Sequence, residues 1–249
     1  ILKFDKNGEL QSYLGQEGLG GTPFPYIHSI QVTETDEICV ITKNPLGWKI
    51  FWYTKMGDPV FKVNFSNSVL KTDSVLGVPS IENIYSDIEK RILYIKVDYY
   101  TLDDAGNIKF NRSLIQSYDL NNEEYLTETA VPRNIVRSDQ PVIFQEDEHE
   151  YMYEFAGVAR GPSFFLLSPY SRELYRLMVL SDDGSVRGRG LISFSEEDVF
   201  LREYYVNPDG VFSALVCNEY EASVVWWRSD RYIEESEDEY SKFFPNERN

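Results

Sequence analysis

Residues 1–10 read Ile1-Leu2-Lys3-Phe4-Asp5-Lys6-Asn7-Gly8-Glu9-Leu10, a short apolar strand followed by an Asn-Gly turn. Asn-Gly pairs favour the tight turns of β-hairpins, because both residues tolerate positive φ angles. The same order of features returns at residues 49–58, which read Lys49-Ile50-Phe51-Trp52-Tyr53-Thr54-Lys55-Met56-Gly57-Asp58. The two copies are about 49 positions apart, which fits the length of one β-propeller blade.

The rest of the chain predicts an all-β fold. Short apolar segments alternate with period two between clusters of turn residues, and no long segment has helical periodicity. We therefore predict a β-propeller of four-stranded antiparallel blades, with the first blade incomplete and about five to six blades in the complete protein. A single propeller domain is predicted at residues 1–233, followed by an acidic C-terminal tail at residues 234–249.

Four groups of strands follow the opening half-blade. The first comprises residues 27–32, 37–42, 48–55 and 59–65. The second comprises residues 81–87, 91–100, 113–120 and 125–130. The third comprises residues 151–158, 163–168, 173–180 and 186–193. The last comprises residues 200–206, 211–218 and 223–229, with a further edge strand at 232–234.

Two connections between these strands are unusually long. Residues 99–112 contain an Asp- and Gly-rich turn, and we expect them to extend a hairpin beyond the rim of its blade. Residues 131–150 form the longest irregular connection and include a cluster of acidic residues. Long connections in compact domains are either functional or loose.

The charge of the chain limits its partners. Acidic residues outnumber basic ones by 41 to 24, which gives a net charge of −17. A phosphate backbone or an anionic lipid surface would repel such a protein, whereas cationic partners or Ca²⁺ suit it. No apolar run approaches the roughly 18–20 residues that span a bilayer. We predict no nucleic-acid partner, and membrane attachment only through an N-terminal lipid anchor outside this segment.

Residues 1–57 resemble the NHL-type repeat of six-bladed β-propellers. That repeat runs roughly from an apolar residue through Phe and Gly to a Gly-rich stretch, a Phe-x-x-Pro segment and two further strands. The matching residues are Ile1, Phe4, Gly8, Gly15, Gly18, Phe24, Ile30, Val32, Ile38, Cys39 and Val40. Residues 42–49 depart from the repeat, because they lack the Asp-x-x-Asn-x-Arg pattern that joins its inner strands.

The whole pattern is also similar to the propeller lipoproteins of spirochaetes, whose role is undefined. Through this resemblance we expect a lipoprotein of the cell envelope, either periplasmic or at the cell surface.

Side chains suited to catalysis are few, and we predict no catalytic residue. His28 enters a predicted innermost strand, where it either faces the channel mouth as a ligand or forms a structural hydrogen bond. His149 lies in the acidic connection, and no second histidine follows at metalloprotease spacing. Cys39 and Cys217 lie in apolar strands assigned to different blades, so we expect small buried side chains and no disulfide between them.

Carboxylates on the predicted innermost strands are weak candidates for a metal site. Glu82, Glu154 and Glu203 each come from a different blade, and convergence of the three would form a Ca²⁺ site in the channel. The alternative is that each carboxylate is solvated channel wall. The acidic turns lack the Asp-x-Asp-x-Asp-Gly register of an EF-type loop, so we interpret them as hairpin turns.

Aromatic and loop residues supply the candidate binding surface. Trp48 and Trp52 lie four positions apart on one strand and therefore share a face, either as a contact between blades or as a ligand-stacking patch. Phe24, Tyr26 and Arg160 are predicted to ring one mouth of the channel. On this prediction, replacing these three residues together removes partner binding without changing the melting temperature.

The leading hypothesis is a non-enzymatic scaffold that binds a protein in the bacterial cell envelope. The first alternative is a propeller hydrolase or lactonase that uses a divalent cation in the channel as a Lewis acid. The second is a glycan or small-ligand binder built on Trp48 and Trp52. Propellers host many activities, so the fold alone does not decide between them.

Overall fold

The computed structural model describes residues 1–228 except for residues 6, 15–23, 25, 34, 46, 67–69, 71–76, 88, 137–148, 170–173, 194–199 and 219. The described residues form β-strands joined by turns and contain no helix. Within this part of the chain, nothing has the length and apolar character of a helix that crosses a membrane. The predicted tail at 234–249 and the predicted edge strand at 232–234 lie outside the described residues.

The chain begins with a two-stranded ribbon of β1 (Leu2–Phe4) and β2 (Leu10–Tyr13). Its turn is the Asn-Gly turn that the sequence predicts, and Gly8 adopts a φ of 84°. Asp5 fixes the turn because its carboxylate accepts hydrogen bonds from the amides of Asn7 and Glu9 at 2.8 and 2.9 Å. This ribbon is the incomplete blade that the sequence predicts at the start of the chain. The blades that follow it are numbered from 1.

Three complete blades follow, each a four-stranded antiparallel sheet in sequence order. Blade 1 consists of β3 (Ile27–Val32), β4 (Ile38–Asn44), β5 (Gly47–Tyr53) and β6 (Pro59–Phe65). Blade 2 consists of β7 (Val78–Asp87), β8 (Ile92–Leu102), β9 (Ile108–Asp119) and β10 (Glu124–Val131). The long β8–β9 hairpin confirms the extension predicted for residues 99–112.

A second two-stranded ribbon lies between blades 2 and 3 in the order of the chain. It pairs β11 (Asn134–Val136) with β12 (His149–Tyr151), inside the connection that the sequence left irregular. Blade 3 consists of β13 (Glu154–Ala159), β14 (Ser163–Pro169), β15 (Leu174–Ser181) and β16 (Val186–Ser193). Three described strands form blade 4, namely β17 (Phe200–Val206), β18 (Val211–Cys217) and β19 (Ala222–Arg228).

The first strand of each blade lies innermost, and these four strands run in the same direction around the channel. On β3 and β7, the side chain of His28 is hydrogen-bonded to Asn83 and that of Gln31 to Ser86. Residue numbers increase in the same direction along both strands, so β3 and β7 run parallel to each other. β7 and β13 have the same relative direction, and the hydroxyl of Tyr85 donates to the carbonyl of Ala156 at 2.8 Å between them. β13 and β17 are also parallel, since Glu154 contacts Tyr204 and Gly157 lies beside Val206. The ring arrangement confirms the predicted β-propeller.

The hydrophobic core lies between the blades, since neighbouring sheets bury their facing sides against each other. The contact between blades 1 and 2 buries a cluster that includes Ile41, Ile50, Ile84, Ile95 and Tyr99. The contact between blades 2 and 3 buries Tyr94, Ile115, Phe155, Phe164 and Leu180. The contact between blades 3 and 4 buries Ala156, Phe165, Leu177, Phe212 and Ala214. The other face of blade 1 packs on the N-terminal ribbon through Leu14.

Every innermost strand contains a β-bulge at the same place in its pairing. The register slips by one residue between Ile27 and Ser29 and between Ile81 and Asn83. It also slips between Phe155 and Gly157 and between Leu201 and Glu203. The extra residues are therefore equivalent positions in the four blades, and they are His28, Glu82, Ala156 and Arg202. A bulge redirects the side chains around it.

Candidate binding surface

The two ends of the channel are built from different parts of the chain. Because the four innermost strands are parallel to one another around the ring, they all start at one end and finish at the other. We call the end where they finish the turn mouth, defined by the connections at 33–37, 87–91, 160–162 and 207–210. The opposite mouth is formed where the innermost strands begin.

A cleft of about 300 Å³ opens at the turn mouth, and all four innermost strands contribute to its wall. Its aromatic and apolar residues include Tyr85, Tyr94, Tyr205, Val158, Pro162 and Pro208. Tyr205 remains 44% exposed. Tyrosine is one of the residues that are enriched at the centre of protein interfaces.

Charged side chains form pairs around this cleft. Arg160 contacts Asp209 at 2.8 Å, and both side chains remain largely exposed. The amide of Arg160 also donates to the carbonyl of Pro208 at 2.9 Å, which ties the turns of blades 3 and 4 together. Lys90 lies 3.3 Å from Asp87 in the turn of blade 2. Exposed pairs of this kind contribute little to stability.

The tyrosines of the cleft stay protonated at neutral pH. Burial raises the pKa of Tyr94 to about 12, with a smaller contribution from the carboxylate of Asp87. Burial also raises the pKa values of Tyr85 and Tyr205. The cleft therefore presents neutral phenol rings rather than phenolates.

The structure separates the three residues that were expected to ring one mouth. Tyr26 immediately precedes β3 and is 67% exposed at the opposite mouth, whereas Arg160 follows β13 at the turn mouth. Phe24 packs edge-on against Phe51 and Tyr53, with ring centroids 5.5 and 6.1 Å apart. Tyr26 and Arg160 therefore do not share a mouth, because one precedes an innermost strand and the other follows one, and the two ends of these strands lie at opposite mouths. Phe24 is a packing residue, so its replacement is expected to change stability.

Trp48 and Trp52 share a face of β5, as their spacing predicts, and that face is buried. Their exposed fractions are 3% and 4%, and both rings belong to the cluster between blades 1 and 2. The edge of the Trp48 ring contacts His28 at a centroid distance of 4.9 Å, and Lys43 lies over the same ring at 4.8 Å. The two tryptophans therefore form a contact between blades, which is one of the two roles that their spacing allows.

Asn83 joins three blades at the channel wall. Its amide oxygen accepts hydrogen bonds from Nε2 of His28 and from the amide of Ile84, each at 2.8 Å. Its amide nitrogen donates to the carbonyl of Phe155 at 3.0 Å. Partial desolvation lowers the pKa of His28, while the bond to Asn83 acts in the opposite direction. The sequence did not identify Asn83, since a single asparagine in a strand carries no distinctive signal.

The three candidate metal carboxylates occupy three different positions in the pairing of their strands. Glu82 is a bulge residue, Glu203 follows the bulge of β17, and Glu154 begins β13. Glu154 accepts a hydrogen bond from the hydroxyl of Tyr204 at 3.1 Å. Among the described residues, no group of three or more His, Cys, Asp and Glu side chains could hold a metal ion. A Ca²⁺ site therefore stays a prediction from the sequence.

Glu82 takes part in a buried ionic network that the sequence did not predict. Lys96 is fully buried and contacts Asp98 at 2.7 Å and Glu82 at 3.5 Å. Ser113 donates to Asp98, and the amide of Phe155 donates to Glu82 at 3.3 Å across the blade contact. Burial raises the pKa of Glu82 to about 7, although Lys96 opposes this rise. The signal in the sequence was the lysine that interrupts the apolar run of β8.

The structure places Cys39 and Cys217 on different blades. Cys39 is buried in blade 1 and Cys217 is half-buried in blade 4, and both are free thiols. Burial raises the pKa of Cys39 to about 12, with Ser86 3.2 Å from its sulfur. His149 belongs to β12. The expected absence of a disulfide between the cysteines agrees with their separation on different blades.

No known protein family matches the chain, and no curated protein is significantly similar to it.

Proposed function

We propose that the protein is a non-enzymatic binding scaffold and that it recognises a protein partner at the turn mouth. The observation that carries this proposal is the cleft to which all four innermost strands contribute. Connections between rigid strands provide binding residues at low entropic cost, because the scaffold already holds them in place. Tyr205 and its neighbouring tyrosines supply the large, amphipathic contact area that protein interfaces favour.

A location in the bacterial cell envelope is part of the proposal. Its support is the resemblance of residues 1–57 to the NHL-type repeat and of the strand pattern to spirochaete propeller lipoproteins. The net charge of −17 further favours a partner with a basic surface over nucleic acid or anionic lipid.

A propeller hydrolase is the second candidate, and Glu82 is the observation that favours it. A carboxyl group with a pKa of about 7 can act as a general acid or base at neutral pH. This candidate requires a divalent cation in the channel, so titration with CaCl₂ in a calorimeter tests it. Saturable binding that Glu82→Gln weakens would favour the hydrolase, and no heat of binding would count against it.

The scaffold proposal is tested by partner capture. The purified protein is incubated with native membrane extract, and captured proteins are identified by mass spectrometry. We expect a specific partner that is lost with Tyr205→Ala at the turn mouth and retained with Tyr26→Ala at the opposite mouth. Capture that survives Tyr205→Ala and fails with Tyr26→Ala would contradict the proposed surface.

A further inference from the structure

A second cleft lies on the same face of the molecule as the turn mouth. It has a volume of about 200 Å³ and lies between the outer parts of blades 1 and 2. Trp52 and Phe61 of blade 1 line it on one side, and Leu120 of blade 2 lines it on the other. Glu37 and Arg91, from the turns that follow the innermost strands, complete the wall.

Glu89 joins the two clefts. Its exposed side chain lines the cleft at the turn mouth and also the cleft between the blades. The two clefts are therefore neighbours with Glu89 between them, and we call the pair of clefts the track. An extended chain advances about 3.3 Å per residue, so a short peptide segment can follow such a track.

The charges along the track favour a cationic occupant. The charged residues that line the two clefts are Glu37, Asp87, Glu89, Lys90, Arg91 and Arg160. Lys90 pairs with Asp87 and Arg160 pairs with Asp209, which leaves Glu37 and Glu89 against Arg91. Arg91 is directed towards Asn121, to which its guanidinium donates a hydrogen bond at 3.4 Å. The net charge of −17 adds long-range attraction for a basic segment.

Trp52 contributes a mostly buried ring to the wall of the outer cleft. Trp52 is 4% exposed, and its indole Nε1 has no acceptor among the described residues. Trp52 and Phe61 would also form one apolar subsite, and Tyr85 and Tyr205 the other.

We propose that the track binds an extended peptide segment of a partner protein, with a basic side chain at Glu89 between two apolar anchors. This inference rests on the proposed function and names the chemistry of its partner. The apolar anchors enter the two clefts, and the central Arg or Lys lies against Glu37 and Glu89. Arginine is favoured because its guanidinium both pairs with carboxylates and stacks on aromatic rings.

Three pools of nonapeptides test the proposal. The central residue is Arg, its uncharged analogue citrulline, or Glu, and the other positions are randomised over Leu, Tyr, Ser and Gly. The immobilised protein selects from each pool, and mass spectrometry measures the retained fraction. We expect the Arg pool to be retained about tenfold more than the citrulline pool at low salt, and the Glu pool least. Glu89→Gln should remove this preference, whereas Glu221→Gln, on a turn at the opposite mouth, should not.

Intrinsic fluorescence gives a second readout, because occupation of the outer cleft changes the surroundings of Trp52. The Arg pool should shift the emission of the wild type and leave Trp52→Phe unshifted. Equal retention of the three pools, or a preference that survives Glu89→Gln, would overturn the proposal. The proposed function fails separately, namely if Tyr205→Ala leaves partner capture intact.

Discussion

Nε2 of His28 lies 2.8 Å from the side-chain oxygen of Asn83, a contact that joins the innermost strands of blades 1 and 2. The same asparagine donates to the carbonyl of Phe155 on blade 3. Asn83 therefore connects three consecutive blades through one side chain. Buried amides that satisfy several partners at once contribute to stability mainly because their loss leaves those partners unpaired.

Removal of the Asn83 amide is predicted to destabilise the protein by about 2 kcal/mol. In Asn83→Ala the imidazole of His28, the amide of Ile84 and the carbonyl of Phe155 each lose a hydrogen bond. Urea unfolding of the wild type and variant measures the change. Asn64→Ala, at an exposed position on β6, is the control and should remain within about 0.5 kcal/mol of the wild type.

The buried network around Glu82 predicts a pH dependence of stability. Burial raises the pKa of Glu82 from its ordinary value of 4.5 to about 7, so the folded state binds this proton more tightly than the unfolded state. The contribution to stability is complete below pH 4.5 and is lost as the pH rises through 7. We expect a loss on the order of 2 kcal/mol across this range.

Glu82→Gln should flatten this part of the profile, because glutamine does not titrate and still accepts from the amide of Phe155. His28 acts with the opposite sign: its lowered pKa makes the folded state less stable as the pH falls below 6.5. The difference between the wild type and Glu82→Gln isolates the carboxyl group. An unchanged pH profile in that variant, with Glu124→Gln as the exposed control, would contradict the assignment.

The close approach of blades 3 and 4 predicts that replacement of Gly157 destabilises the protein. A Cβ atom at Gly157 would lie 2.6 Å from Cβ of Val206, so the two innermost strands would have to separate. We expect Gly157→Ala to cost about 2–3 kcal/mol. Gly106→Ala is the matched control, because a Cβ there meets open space and only the positive φ of 82° is unfavourable. Thermal unfolding should show a much smaller decrease in melting temperature for Gly106→Ala than for Gly157→Ala. Equal decreases in the two variants would refute the packing argument.

The different surroundings of Phe24 and Tyr26 predict opposite outcomes for two neighbouring substitutions. Phe24→Ala removes ring contacts with Phe51 and Tyr53 and should cost about 1–3 kcal/mol. Tyr26→Ala removes an exposed side chain and should leave the melting temperature almost unchanged. Calorimetry of both variants decides this, and a stable Phe24→Ala protein would restore the sequence-based assignment of Phe24 to a binding surface.

Local sequence pattern predicts the strands of this propeller well. Ile27–Val32, Pro59–Phe65, Val186–Ser193 and Phe200–Val206 begin and end where the alternation of apolar residues predicts. The short ribbon of β11 and β12 was not predicted, since three residues per strand are too few to show a period. The bulges were not predicted either, because one extra residue leaves the local composition unchanged.

Contacts between distant residues explain most of what the sequence did not reveal about the site. Lys96 lies in an apolar strand, and its partners Glu82 and Asp98 acquire their roles only when β7 and β8 pair. The separation of Tyr26 from Arg160 follows from strand direction, which the loop positions alone do not express. The spacing of Trp48 and Trp52 correctly predicted that they share a face, because period two fixes which side chains do so, but it left open whether that face is buried.

Site-specific photocrosslinking tests the central claim most directly. Benzoylphenylalanine replaces Tyr205 at the turn mouth in one protein and Tyr26 at the opposite mouth in another, both in the full-length chain and in native membrane extract. Tyr26 is 67% exposed and Tyr205 is 44% exposed, so exposure alone would favour a crosslink from position 26. We predict a discrete crosslinked partner from position 205 and none from position 26. A crosslink from position 26 alone would contradict the assignment of the turn mouth as the binding surface.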